Sequence, residues 1–169
     1  QMIKLNLNGV IDRNRVCGAQ APGGTGALHQ LFLLLRAAKP GATVWLSDPT
    51  WPNHPAILAH LGIQYKTYRY FNQKTCEVDF GGMMLDLQSA KSGDVLLLHG
   101  CCHNPTGANL TLSDWKDITH FCSSKGITPL IDIAYQGFGD GLQNDVEGLQ
   151  HMAKHVPEMM IGTSCSKNF

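Results

Sequence analysis

DVLLLHGCCHNPTGANLTLSDWKDITHFCSSKGITPLIDI, residues 94–133, decides the fold. Residues 94–99 are an apolar run too short for a helix and bounded by a glycine, which reads as a buried strand. Residues 111–125 repeat their apolar positions at helical spacing, with Leu112, Trp115, Ile118, Thr119 and Cys122 on one face. Thr111 or Ser113 can cap that helix and Gly126 stops it. Residues 128–133 form a second apolar run. Strand, helix and strand in this order predict a parallel crossover unit.

The pattern extends in both directions. Helices are expected over residues 26–38, 55–61, 83–90 and 147–155, and strands over 43–47, 64–70 and 159–163. In the first helix Leu28, Leu31, Leu34 and Leu35 are read as one apolar face. The expected fold class is therefore α/β, a mainly parallel sheet flanked by helices on both faces. No internal repeat or low-complexity linker divides the chain, and its 169 residues suit one domain.

Composition narrows the function classes. Apolar residues make up 43% and charged residues 15%, which argues against disorder. Lys plus Arg equals Asp plus Glu at 13 each, so no basic surplus points to nucleic acid and no charge block to a membrane surface. The longest apolar runs, near residues 31–35 and 95–98, are too short to span a bilayer. Six scattered cysteines give no disulfide framework and favour a reducing compartment. Cytoplasmic location is the expectation, with an organelle as the alternative if a leader precedes Gln1.

In parallel sheets ligands gather at the carboxyl ends of the strands, and the unusual residues fall there. Pro22-Gly23-Gly24-Thr25-Gly26 precedes a helix, where backbone N–H groups and the helix dipole favour an anion. Asp48-Pro49-Thr50-Trp51-Pro52-Asn53-His54 holds an aromatic ring in a rigid loop, where Trp51 can stack on a planar ligand or simply fill the core. His99-Gly100-Cys101-Cys102-His103-Asn104-Pro105-Thr106-Gly107 invites a metal reading, but adjacent cysteines rarely close one tetrahedral site, and no metal is expected. Asp132 interrupts an apolar strand, which is costly without a paired donor or cation, and Tyr135 follows at the strand's end. Ser164-Cys165-Ser166-Lys167 places hydroxyls around a lysine after the last strand. Taken one at a time, each motif has an equally good structural explanation.

Together, in this order, PGGTGAL, WPNH, HGCCHNPTG, AYQGF and SCSKNF resemble the class I aminotransferases, specifically the aspartate and aromatic aminotransferases, from about Val16 to Phe169. The resemblance implies pyridoxal 5′-phosphate (PLP) as cofactor. It also implies transfer of an amino group between aspartate, glutamate or an aromatic amino acid and a 2-oxo acid. Lys167 matches the lysine that forms the Schiff base and moves the proton. Asp132 matches the carboxylate that keeps the pyridine nitrogen protonated, and His54 matches the histidine that supports it. Tyr135 and Asn104 match the pair that hydrogen-bonds the phenolic oxygen, and Trp51 matches the ring stacked on the pyridine. Gly24, Thr25 and Ser164 match the phosphate cradle, with Ser166 beside it. Trp51 and Asn104 also line the substrate side, and His99 and His103 are expected to pack.

Cys165, where an aromatic is usual, and His29, where Arg is common, mark a divergent member. The resemblance further implies that residues 1–169 are a truncated large domain. The small domain, a downstream phosphate-binding arginine and the arginine that clamps the substrate carboxylate are expected elsewhere in a longer homodimeric parent. An inactive fragment, a binding module, and a decarboxylase or lyase of related fold stand as alternative readings.

Overall fold

The computed structural model describes residues 2–168. Phe169, the last residue of the SCSKNF motif, lies outside them. The helices are α1 (Met2–Leu7), α2 (Gly23–Ala38), α3 (Asn53–His60), α4 (Phe80–Leu87), α5 (Leu112–Lys125) and α6 (Glu147–His155). The strands are β1 (Val44–Asp48), β2 (Tyr65–Arg69), β3 (Phe71–Asn72), β4 (Glu77–Val78), β5 (Val95–His99), β6 (Thr128–Ile133) and β7 (Met160–Thr163). Five strands form one parallel sheet in the order β2-β1-β5-β6-β7. A two-stranded antiparallel hairpin, β3–β4, stands beside it.

The sheet is buried on both faces because its central strands are apolar at consecutive positions, not alternate ones. Side chains at alternate positions then feed two cores. Val44, Leu46, Val95, Leu97 and Leu130 pack with Leu28, Phe32 and Leu35 of α2 and Leu58 of α3. Trp45, Leu96, Leu98, Ile131 and Ile133 pack with Met83 and Leu87 of α4, Ile118 and Cys122 of α5 and Met152 of α6.

The helix ends follow local chemistry. Thr111 and Asp114 close a capping box at the start of α5, and Gly126 ends it at φ 68°, a left-handed position that suits glycine. Gly148 lies against the Trp115 ring so closely that a Cβ there would overlap it, so α5 and α6 meet at a glycine.

Three expectations are corrected. Leu34 is 57% exposed, while Phe32 is fully buried. From Leu28, positions 32 and 35 return to the same side of a helix, but position 34 lies well around it. The fourth helix begins at Phe80 rather than 83, because the Asp79 side chain accepts from Gly82 N at 2.9 Å and starts it early. The second begins at Gly23, so the glycine run predicted to be a loop forms the helix's first turn. Neither α1 nor the β3–β4 hairpin was expected from the sequence.

Candidate active site

Asp132 sits one residue from the end of β6, with His99 of β5 and Gly162 of β7 as its cross-strand neighbours. Its side chain is only 12% exposed and is paired with fully buried His54, Nε2 to Oδ2 at 2.9 Å. His54 lies in the first turn of α3, so the Trp51-Pro52 turn that starts this helix also aims the imidazole under the sheet's carboxyl edge. This pair answers the cost of an acid in an apolar strand.

The pair belongs to a longer chain of hydrogen bonds. Asn104 N donates to His99 Nδ1 (3.3 Å), and His99 Nε2 meets Thr50 Oγ1 (3.3 Å). Thr50 Oγ1 in turn meets His54 Nδ1 (2.8 Å). A backbone N–H can only donate, so His99 Nδ1 accepts and its Nε2 carries the hydrogen. With both rings neutral, one arrangement satisfies every contact. His99 donates to Thr50, Thr50 donates to His54, and His54 donates to Asp132. Burial pushes the His99 pKa well below its ordinary value, helped by the neighbouring His103 and His54, which keeps this ring neutral.

A parallel arrangement holds His103. Its ring stacks on Tyr70 at 3.8 Å between centroids and meets Ser47 Oγ (2.9 Å) and Thr106 Oγ1 (2.9 Å). Burial lowers its pKa to about 4. His99 and His103 were expected to pack, and they do, but both are also tied into polar networks. Trp51 is half-buried and meets the His54 ring edge-on at 5.3 Å.

Lys167 lies in the turn that follows β7. Ser164 N donates to Ile133 O (2.9 Å), Asn168 N to Cys165 O (2.9 Å) and Asn168 Nδ2 to Gln136 O (2.9 Å). These bonds tie the turn to the loop after β6. They leave the exposed Lys167 Nζ at 5.8 Å from the Tyr135 ring centroid. The amine therefore stands over Tyr135, two residues past the end of β6.

The start of α2 comes to this turn. A Cβ on Gly24 would lie 3.1 Å from Ser164 Cβ, and one on Gly23 would lie 4.0 Å from Ser166 Oγ. Ser164 Oγ donates to Ser166 Oγ at 3.0 Å. Pro22 caps α2 without a side-chain hydrogen bond, so no capping side chain takes up the N–H groups of its first turn. Thr25 is exposed in that turn. Helix N-terminus and hydroxyls together suit an anion such as phosphate.

The structure thus joins Asn104, His99, His54 and Asp132 in one chain, Tyr135 with Lys167, and Gly24 with Ser164 and Ser166. Neither of two cavities, of about 440 and 520 Å³, is walled by Asp132, Lys167 or Trp51. The sequence reading missed Thr50 and Ser47, whose hydroxyls bridge the histidines. Nothing in the local pattern separates them from ordinary loop and strand hydroxyls.

An aromatic-amino-acid aminotransferase of Paracoccus denitrificans is 56% identical over 147 residues, covering 87% of this chain and 37% of that protein. An aspartate aminotransferase of Salmonella typhi is 42% identical over 160 residues, covering 95% and 40%. A solved structure described as an aromatic-amino-acid aminotransferase from Burkholderia pseudomallei covalently bound to pyridoxal phosphate superposes with a TM-score of 0.94. It is 37% identical and covers 98% of this chain and 42% of that one. The chain spans about 40% of the length of these relatives. Residues 3–169 match the family model for aminotransferase class I and II. The chain belongs to the class I and II aminotransferase family.

Proposed function

We propose that this chain is the cofactor-binding part of the large domain of a cytoplasmic, homodimeric aminotransferase. Its substrates are an amino acid, aspartate, glutamate or aromatic, and a 2-oxo acid. The observation that carries the reading is the His54–Asp132 pair near the end of β6, whose following loop is hydrogen-bonded to the turn that carries Lys167. Pyridoxal 5′-phosphate, when bound, supplies an aldehyde that takes up amino groups and a ring that draws electrons from the substrate α-carbon.

The residues present fit that group. A phosphate suits the α2 N-terminus with Gly24, Thr25, Ser164 and Ser166, where the lack of a side chain at Gly24 leaves Ser164 room. Asp132 suits a protonated ring nitrogen as a buried anion whose second contact, His54, donates to it and so keeps it an acceptor. His54 and Thr50 are positioning residues: they hold the carboxylate through hydrogen bonds. Tyr135 and Asn104 would hydrogen-bond the phenolic oxygen, and Trp51 would stack on the ring.

Lys167 would hold the cofactor at its aldehyde carbon through the Nζ amine. The Nζ amine would also move the proton at the substrate α-carbon. Its exposure on a short, anchored turn lets the amine swing between these tasks. Carboxylate-clamping groups are assigned to sequence outside this chain, because the relatives are more than twice as long.

The full-length protein is to be assayed with tyrosine, phenylalanine, aspartate and glutamate as donors and a 2-oxo acid as acceptor. The expected result is equal formation of new amino acid and new 2-oxo acid. Release of carbon dioxide or ammonia without need of the acceptor would overturn the reading. Asp132→Asn is expected to lower turnover by at least ~100-fold, on the scale of other preorganised electrostatic groups.

A further inference from the structure

Just past the end of β5, a second cluster of reactive groups gathers. Cys101, Cys102 and Asp145 place two sulfurs and a carboxylate oxygen within 4.8 Å of one another. Both thiols are free. Adjacent cysteines in an extended strand would point to opposite faces. Here Cys102 takes φ 48°, in the left-handed region that a cysteine rarely adopts, and the alternation breaks. Both sulfurs then turn toward Asp145, a residue that follows them by more than forty positions.

We propose that Cys101, Cys102 and Asp145 form a binding site for a thiophilic divalent cation of the zinc class. Sulfur and carboxylate donors suit such an ion, with bond lengths near 2.3 Å and about 2.0–2.2 Å. Donors around a tetrahedral ion stand roughly 3–4 Å apart by those bond lengths. A spread of at most 4.8 Å therefore closes by small side-chain rotations.

The carboxylate is already held in place. Asp145 Oδ2 accepts from Gly137 N (2.7 Å) and Gly139 N (3.1 Å), and Oδ1 accepts from Asp140 N (2.7 Å). Each carboxylate oxygen has two lone pairs, so Oδ1 retains one for a cation. The loop also leaves room: a Cβ on Gly139 would lie 2.7 Å from Asp145 Oδ1 and 3.4 Å from Cys102 Sγ, in the gap between two of the donors.

The cluster has an entry path. A cavity of about 520 Å³ is walled in part by Cys101, Asp140, Asp145 and Glu147, and its lining contains no Lys or Arg. Three carboxylates without a cation make it attractive to a positive ion. The ligand form of each thiol is the thiolate, so the bound cation displaces two protons into solvent.

The test is titration of the reduced protein with Co²⁺, followed by displacement with Zn²⁺. One equivalent of Co²⁺ is expected to give a thiolate-to-metal charge-transfer band in the near ultraviolet, which Zn²⁺ abolishes. Cys102→Ser is expected to remove the band and weaken Zn²⁺ binding by at least ~100-fold, since even supporting residues of a metal site are worth 10–100-fold. Cys17→Ser and Cys76→Ser, at exposed thiols outside the cluster, are expected to leave both unchanged. Gly139→Ala, which keeps all three ligands but fills the gap, is expected to weaken binding and serves if Cys102→Ser does not fold. Absence of the band in the unmodified protein would overturn the proposal. So would a band of undiminished strength in Cys102→Ser or, where that variant does not fold, in Gly139→Ala.

Discussion

At the scale of single residues, the polar chain under the sheet edge makes the sharpest claims. Thr50 Oγ1 lies between the His99 and His54 rings, within hydrogen-bond reach of both. Thr50→Val keeps its shape and deletes that bridge, leaving a buried imidazole nitrogen without a donor. The expected cost is about 1–3 kcal/mol in urea unfolding, the penalty of an unsatisfied buried group. A variant as stable as the parent would show that the bridge is not formed.

The histidines predict a pH dependence. His99 and His103 titrate below the ordinary 6.5 in the folded chain, His103 at about 4. As pH falls below 6.5 the unfolded chain binds protons that the folded chain refuses. Stability is therefore complete above pH 6.5 and declines toward pH 4, by up to about 1.4 kcal/mol per pH unit for each histidine. Unfolding midpoints measured across this window check it, and His103→Gln is expected to reduce the slope. Residue roles were legible where chemistry is rare in context: an acid inside an apolar strand demanded a partner, and His54 is that partner. Thr50, Ser47 and Asp145 were not legible, because their importance comes from neighbours far away in sequence.

Among elements, α5 carries the clearest tests. Its capping box is exposed and independent of the core, so Thr111→Ala isolates the cap. The expected loss is about 1 kcal/mol. Gly148→Val instead drives a side chain into Trp115 at the α5–α6 crossing. It is expected to cost at least ~1–3 kcal/mol, as overpacking does, and thermal unfolding distinguishes the two. Helices and central strands were legible because periodicity and apolar runs are local signals. Residues 128–133 and 147–155 were placed as they are found. The β3–β4 hairpin was not, since each strand has only two residues. Nor was α1, whose Asn6 is held by Gln136 and Gln150 from the far end of the chain.

For the whole molecule, the parallel order β2-β1-β5-β6-β7 brings the motif ends to one edge, and this was implied by alternating strands and helices. The surface retains large exposed apolar side chains, including Leu85 at 65%, Phe138 at 59% and Leu142 at 52%. The chain is therefore expected to self-associate as its concentration rises, and sedimentation showing a monomer throughout would contradict this. The strand ends are proposed to assemble one PLP site around Lys167. The most direct measurement of this proposal is reconstitution of the full-length protein with PLP, borohydride reduction and peptide mapping. A visible band before reduction and a single modified lysine at Lys167 are predicted. No band, or modification at another lysine with Lys167 untouched, would contradict the account.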